Sequence, residues 1–357
     1  MLCIASFIIF LILGIFSATY RDLARKAWYC VGRRVTFRPC DINFDVELRG
    51  KLIGSLMRVS PGLARFVHRW GDVLAFFFVL TSLWSVVAVG LTGLNLYVYD
   101  TCSPADAESC SLGGEACGVG IARPNFWESV QQGRVVTWVV TPWQDLGTTL
   151  SRVPDRWRVW QARDFTENTS SYYRPFDEQK SVVLEVIDPG CKFCAKLTKN
   201  IKEAQVGERY NLTYLLYPIA DGKGGQKFPQ SMLMARYVIA TSMISPSKNI
   251  SDEPADWQLL SKVLLETDRD GVAWQDKFNL YFNEEAARQQ LGRFLVEIGY
   301  DEVVAQQIAE LAESEEVTAR LAQQRETVEQ KIRTIKIPTL LIDGRRYDRV
   351  VGVDQLQ

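Results

Sequence analysis

Two long uncharged runs dominate the hydrophobic pattern. Leu2 to Ala18 is apolar apart from small residues, and Val73 to Tyr99 carries no charge. At 1.5 Å per residue, the first run just spans a hydrocarbon core of about 30 Å, and the second spans it with tilt. These runs predict transmembrane helices at 1–19 and 72–100. Gly90 and Gly93 suit close helix packing within the second. A cleaved signal peptide is the rival reading of the first run, but such peptides ordinarily carry a positive n-region and none is present here.

Beyond residue 100 the pattern changes twice. Residues 101–122 read as loop, with Ser103-Pro104, Gly113-Gly114 and three cysteines. Phe126 to Phe165 is rich in tryptophan, with arginines interleaved, and Pro142 and Pro154 are expected to split it into short helices. Two readings stand side by side for this stretch: a membrane interface, or packing against the C-terminal part. Thr166 to Ser171 reads as a solvated linker. The region 101–174 is thus an extracytoplasmic Cys/Trp-rich connector.

From about 175 onward, strand and helix periods alternate. Ser181 to Asp188 is a short β-branched apolar strand, broken by Pro189-Gly190. Cys191-Lys192-Phe193-Cys194 follows and leads into the helical period of Ala195 to Ile201. A second strand runs over Leu212 to Ile219. A long helical insertion occupies about 226–333, with helices at 231–244, 257–266, 286–298, 302–312 and 316–333. Pro338 then opens the strand Thr339–Ile342, and a turn at Asp343-Gly344 lets Arg345–Val351 pair back.

Charge sets the expected orientation. Eleven Lys and Arg residues lie between Tyr20 and Trp70, and none precedes the first run. The positive-inside rule assigns this basic loop, 20–71, to the cytoplasm and everything after about Asp100 to the outside. The protein is therefore expected in the cell membrane as a two-pass chain. The formal net charge of −1 gives no reason to expect nucleic acid as a partner. His68 is the single histidine, so histidine-based metal sites and Ser-His or Cys-His catalysis have little support.

Eight cysteines remain to be explained. Cys30 and Cys40 fall in the basic loop, too widely spaced for a zinc knuckle. Cys3, Cys102, Cys110 and Cys117 fall on the outer side, where they allow structural disulfides or electron exchange with the C-terminal part. Cys191 is different, because it sits at a helix N-terminus directly after a strand. Unpaired N–H groups and the helix dipole favour a thiolate there, and Lys192 adds positive charge. Cys194, one turn on, faces inward and can resolve a mixed disulfide. No second C-x-x-C or C-x-x-H completes a metal set, and no cofactor is called for.

In this order, strand, Cys-x-x-Cys helix, helical insertion and Ile337-Pro338-Thr339 resemble the extracytoplasmic Dsb branch of the thioredoxin superfamily. The segment Glu185 to Cys194 resembles that branch's strand-to-active-site junction. Phe193 before the second cysteine is most similar to DsbC and DsbG, whereas the insertion is more similar to DsbA. The resemblance covers 175–357. It implies an α/β, thioredoxin-like fold with a large helical insertion, preceded by the two transmembrane helices. It further implies a redox-active Cys191/Cys194 disulfide, a cis-proline at Pro338 facing it, and a buried acid at Glu185 that shuttles the Cys194 proton. Without the resemblance, Pro338 reads as a strand-start proline, and Glu185, inside an otherwise apolar strand, reads either as a carboxyl of raised pKa able to shuttle the Cys194 proton or as an edge-facing glutamate. Ile337 matches reducing thioredoxins better than Dsb oxidants, so the direction of electron flow stays open.

Two functions follow. The first is a membrane-anchored thiol–disulfide oxidoreductase that forms, reduces or isomerises disulfides in exported proteins, reset by a separate redox partner. The second is a redox-inactive client-binding or assembly module of the same fold.

Overall fold

The computed structural model describes residues 60–104, 114–119, 126–222, 224–247 and 251–357, with residues 25, 26, 28, 29, 33, 50 and 57. The chain divides into two compact units, Met1–Leu91 and Thr92–Gln357. The expected spanning segment at 1–19 lies outside the described residues. The expected one at 72–100 falls on α1 (Pro61–Tyr99), which also takes in residues read from the sequence as the end of the basic loop. Pro61 suits the first helical turn, where its missing N–H has no intrahelical partner to lose. Within α1, Phe76–Tyr99 is long and apolar enough to cross a membrane. Large apolar side chains along it, including Phe77, Leu83, Trp84, Val86 and Val89, are exposed.

The second unit contains a four-stranded sheet of order β3-β2-β5-β6, from β2 (Val182–Ile187), β3 (Asn211–Leu216), β5 (Thr339–Ile342) and β6 (Arg345–Tyr347). Ahead of these come β1 (Cys117–Gly118), α2 (Phe126–Gln131) and α3 (Val135–Arg152). β2 is central, parallel to β3 and antiparallel to β5. Its near-continuous apolar run matches this position, because both faces are buried. Between β2 and β3 lie α4 (Lys192–Glu203) and the short α5 (Val206–Arg209). β5 and β6 form a hairpin whose turn residues, Asp343 and Gly344, both have positive φ, 49° and 73°. That is the mirror-image two-residue turn whose twist fits a hairpin. The closing helix α12 (Val353–Leu356) is one turn and packs on α4. A parallel βαβ unit joined to an antiparallel ββα unit in this strand order is the thioredoxin-like fold.

The insertion between β3 and β5 is helical, as expected: α6 (Ser231–Met243), α7 (Ala255–Leu265), α8 (Trp274–Leu280), α9 (Glu284–Glu297), α10 (Glu302–Ala312) and α11 (Glu315–Glu326). α6 is its hub and packs against α7, α9, α10 and α11. Leu233, Met234, Ala235, Tyr237, Val238, Ile239 and Ala240 are all buried, so α6 is apolar nearly all round. Asn283, Asp301 and Ser314 cap α9, α10 and α11 through side-chain oxygens.

The structure corrects two expectations and adds one helix. Pro142 does not split the connector helix: α3 continues through it, and the Thr141 hydroxyl bonds the Thr137 carbonyl in the same turn. The stretch read as a solvated linker is instead a turn that leads, from Ser170 onward, along the outer edge of β3. Ser170 N–H donates to Tyr214 O at 3.2 Å and Tyr173 N–H to Leu212 O at 2.8 Å, which covers an edge that would otherwise present unpaired groups. Helix α8 has no counterpart among the sequence predictions. It is only seven residues long and follows a turn, too short for a helical period to emerge. Of the tryptophans, Trp160 is 3% exposed and stacks on Phe165, whereas Trp127 and Trp157 are each 71% exposed. The packing reading therefore holds at Trp160.

Candidate active site

The site grows from the junction of β2 and α4. Asp188 directly follows the strand, and its carbonyl accepts the Cys191 N–H at 3.0 Å, closing a turn over Pro189-Gly190. Gly190 is needed there for space: a Cβ would collide with the Phe228 side chain. Cys191 is the N-cap of α4 in extended backbone, and its carbonyl accepts the Cys194 N–H at 2.9 Å. Cys194, Leu197, Thr198 and Ile201 are the buried residues of the helix, at i, i+3, i+4 and i+7, so amphipathicity alone turns Cys194 inward. Lys192 is exposed, its ammonium 5.1 Å from the Phe193 ring centroid.

Three groups that sequence reasoning missed hold this junction. The Asp188 carboxylate accepts from Gly190 N–H at 2.8 Å, from Ile219 N–H at 2.7 Å and from the Ser231 hydroxyl. Gln275 and Asn279, both on α8, donate to the Pro189 and Gly190 carbonyls at 2.7 and 2.8 Å. The one sequence signal was an aspartate directly before Pro-Gly-Cys. The α8 residues gave none, because the helix that carries them was not legible.

Glu185 is fully buried in the central strand, opposite Tyr214 and Leu340. Burial raises its pKa to about 8, against a lowering by the Thr198 hydroxyl, which donates to Oε1 at 3.2 Å. Its Oε2 has no hydrogen-bond partner. The edge-facing alternative for Glu185 is therefore set aside. Asp188 is raised to about 6, also by burial, against its hydrogen bonds. Cys194 is a buried free thiol whose pKa is pushed well above the ordinary value. Burial is the main cause. The Asp188 N–H bond to its sulfur works the other way, and the charges of Asp188 and Glu185 add to the rise.

The resemblance pairs Cys191 with Cys194, but the structure pairs Cys191 with Cys117, at a Cα–Cα distance of 6.5 Å. The reason lies in strand addition. β1 runs antiparallel to β4 (Lys336–Ile337), with Cys117 opposite Ile337 and Gly118 opposite Lys336. This lays the Cys117 sulfur against the helix N-terminus. The Ile337–Pro338 peptide bond is cis, and Cys191 Sγ lies 3.8 Å from the Ile337 carbonyl oxygen. A cluster of the Thr334 and Thr339 hydroxyls with Asp348 braces this loop. Arg346 closes the cluster with bonds of 2.9 and 3.0 Å to Asp348.

Of the other outer cysteines, Cys102 is also disulfide-bonded, while Cys3 and Cys110 lie outside the described residues. His68 is exposed on α1. Among the described residues, no group of three or more His, Cys, Asp or Glu side chains converges as a metal site would.

No protein-family model matches the chain, and no curated protein matches it. Among solved structures, it is similar to the thiol–disulfide exchange protein alpha-DsbA2 from Wolbachia pipientis, at 14% identity over 54% of this chain and 89% of that one, with a TM-score of 0.38. It is also similar to MdbA, a thiol–disulfide oxidoreductase from Corynebacterium diphtheriae, at 14% identity over 54% and 91%, with a TM-score of 0.41. The catalytic domain of Proteus mirabilis ScsC matches at 14% identity over 54% and 89%, with a TM-score of 0.36. At such identity and overlap, the fold assignment rests on the strand order, the Cys-x-x-Cys helix and the proline loop of this chain itself.

Proposed function

We propose that the protein is a membrane-anchored thiol–disulfide oxidoreductase acting on exported proteins through Cys191 and Cys194. One observation carries the reading: a single helix turn holds a cysteine engaged in a disulfide and, behind it, a buried thiol. That is the composition of a mixed-disulfide intermediate. Cys191 at the N-cap is the sulfur that exchanges. The dipole and free N–H groups of α4 stabilise its thiolate as a leaving group and as a nucleophile. Cys194 attacks the Cys191 sulfur and releases whatever thiol Cys191 holds, giving up its proton to a neighbouring carboxylate. Glu185 suits that role, being buried and carrying an unpartnered oxygen. Lys192 adds positive charge at the entrance.

The membrane anchor is supported by the exposed apolar surface of Phe76–Tyr99, which needs a covering other than water. The basic loop before it argues for a redox domain outside the cytoplasm and a two-pass chain. Clients are proteins with thiols or disulfides, and a separate thiol partner resets the pair. Oxidase, isomerase and reductase share this fold and differ in potential and partner. The test is reduction of an unfolded disulfide client by the reduced full chain. Activity is expected in the native protein and expected to be lost in Cys191→Ser.

A second reading draws on the same bond. A Cys117–Cys191 link that never opens would be structural, and the domain would then be a redox-inactive module for client binding or assembly. A Cys191→Ser variant that still supports the protein's cellular role favours that reading.

A further inference from the structure

We infer that Cys117 is a third redox cysteine, and that residues 115–119 are a tethered stand-in for client polypeptide at the Ile337 edge. This rests on the thiol–disulfide reading above.

Disulfide exchange at Cys191 needs an incoming sulfur and an extended segment to hold it. The connector supplies both. Beyond the two paired residues of β1, Val119 N–H donates to Ile335 O at 2.9 Å, which continues the ladder. On the other side, Val350 N–H donates to Glu115 O at 3.0 Å, and the Lys227 ammonium donates to Gly118 O at 2.9 Å. Lys196, on the same helix as Cys191, pairs with Glu115 at 2.5 Å. The run Gly114-Glu-Ala-Cys117-Gly-Val119 has few large side chains. It is held mainly through its backbone, as peptides are when they add to a sheet edge. A short ladder at a sheet edge with a half-exposed ion pair is a latch that can release once its disulfide opens.

The third cysteine argues against a static crosslink, since a structural bond between Cys117 and Cys191 has no use for a buried thiol in the same helix turn. With Cys194 present, the exchange balances internally. The Cys194 thiolate attacks Cys191 Sγ, the Cys191–Cys194 bond forms and the Cys117–Cys191 bond breaks. Cys117 leaves as a thiolate, and takes up from solvent a proton equivalent to the one Cys194 gave up. One disulfide is spent and one formed, so no outside oxidant is required. In the closed form the Ile337 edge and Cys191 are both occupied. In the open form the Cys191–Cys194 disulfide can accept a client thiol. A tethered segment acts at an effective concentration on the order of mM, so clients must compete with it. The competitors favoured are extended segments whose cysteine is flanked by small residues. An open depression of about 640 Å³ beside the bond, lined by Lys192, Phe193, Phe228, Asp276 and Leu280 among others, leaves room for their side chains.

The test uses the full chain in detergent or nanodiscs, acid-quenched, alkylated and mapped by mass spectrometry. A Cys117–Cys191 linked peptide is expected in part in the native protein and almost completely in Cys194→Ser. In Cys117→Ser only the Cys191–Cys194 link is expected. With a synthetic peptide bearing Gly-Ala-Cys-Gly as substrate, Cys117→Ser is expected to lower KM at least threefold. If the Cys191/Cys194 pair cycles against glutathione but Cys194→Ser yields no Cys117 link and KM is unchanged, the inference fails and the oxidoreductase reading stands. If the Cys117–Cys191 link persists in folded protein under dithiothreitol and Cys194 never exchanges, both fail, and the bond is structural.

Discussion

The backbone N–H of Asp188 donates to the sulfur of Cys194 at 3.4 Å, while the side chain of the same residue braces the turn that presents Cys191. One residue thus contacts the buried Cys194 thiol and shapes the turn that presents Cys191. It also makes the strand end, rather than the cysteine motif alone, the organising centre of the site.

Replacing Asp188 with Asn tests that arrangement. The amide keeps one acceptor oxygen but turns the other position into a donor facing the Ile219 N–H. The expected cost is about 1–3 kcal/mol in denaturant unfolding, the usual penalty for a buried donor left unmatched. A variant as stable as the native protein would show that this bond contributes nothing net.

Glu185 makes stability depend on pH. Its pKa is raised from 4.5 to about 8 by burial, so between those values the folded protein holds a proton that the unfolded chain has released. The free energy of unfolding therefore falls as pH rises through this window and levels off above it. Glu185→Gln removes the effect. The variant is expected to match the native protein near pH 4 and to exceed it by roughly 3–5 kcal/mol at pH 9, at about 1.36 kcal/mol per unit. Parallel denaturation curves at pH 4 and pH 9 would falsify a buried, proton-holding Glu185.

The same substitution is expected to slow chemistry. With glutathione loaded on Cys191 as a mixed disulfide, its release requires the Cys194 thiolate, and burial makes that thiolate scarce. Release is expected to quicken with pH in the native protein. In Glu185→Gln it is expected to be about 10²-fold slower at pH 9, where the native carboxyl is ionised and able to take the Cys194 proton, the scale of a lost general base. Equal rates in quenched single-turnover measurements would remove Glu185 from the mechanism.

Gly190 is expected to resist even a methyl group. Gly190→Ala drives a Cβ into Phe228, and the neighbouring Pro189 and Gly190 carbonyls are already held by Gln275 and Asn279. Overpacking of this kind costs about 1–3 kcal/mol. Thermal unfolding measures it, and an unchanged midpoint would mean that the Phe228 loop yields freely.

Much of this site could be read from the chain because it is built from local order. An apolar strand, Pro-Gly, and a cysteine opening an amphipathic helix place Cys191 and Cys194 with no knowledge of the rest. Glu185 stands out as the one charge in β2, although only tertiary packing decides that it is enclosed. What stayed hidden depends on distant parts of the chain. The Cys117–Cys191 pairing joins residues 74 apart in sequence, and nothing in the spacing distinguishes Cys117 from Cys102 or Cys110. Gln275 and Asn279 act from a helix too short to show a period. The 166–171 stretch is polar because its side chains bond distant partners, Asn168 to Thr327 and Ser171 to Asp256, that only the fold brings near.

The most direct measurement is redox equilibration of the full chain against glutathione buffers, with acid quenching and a count of alkylated Cys191 and Cys194. Reversible titration of the pair at a potential between about −120 and −270 mV is expected, the span from strong oxidants to thioredoxin-like reductases. A Cys191 that stays oxidised below about −300 mV, or never exchanges with Cys194, would contradict the thiol–disulfide account.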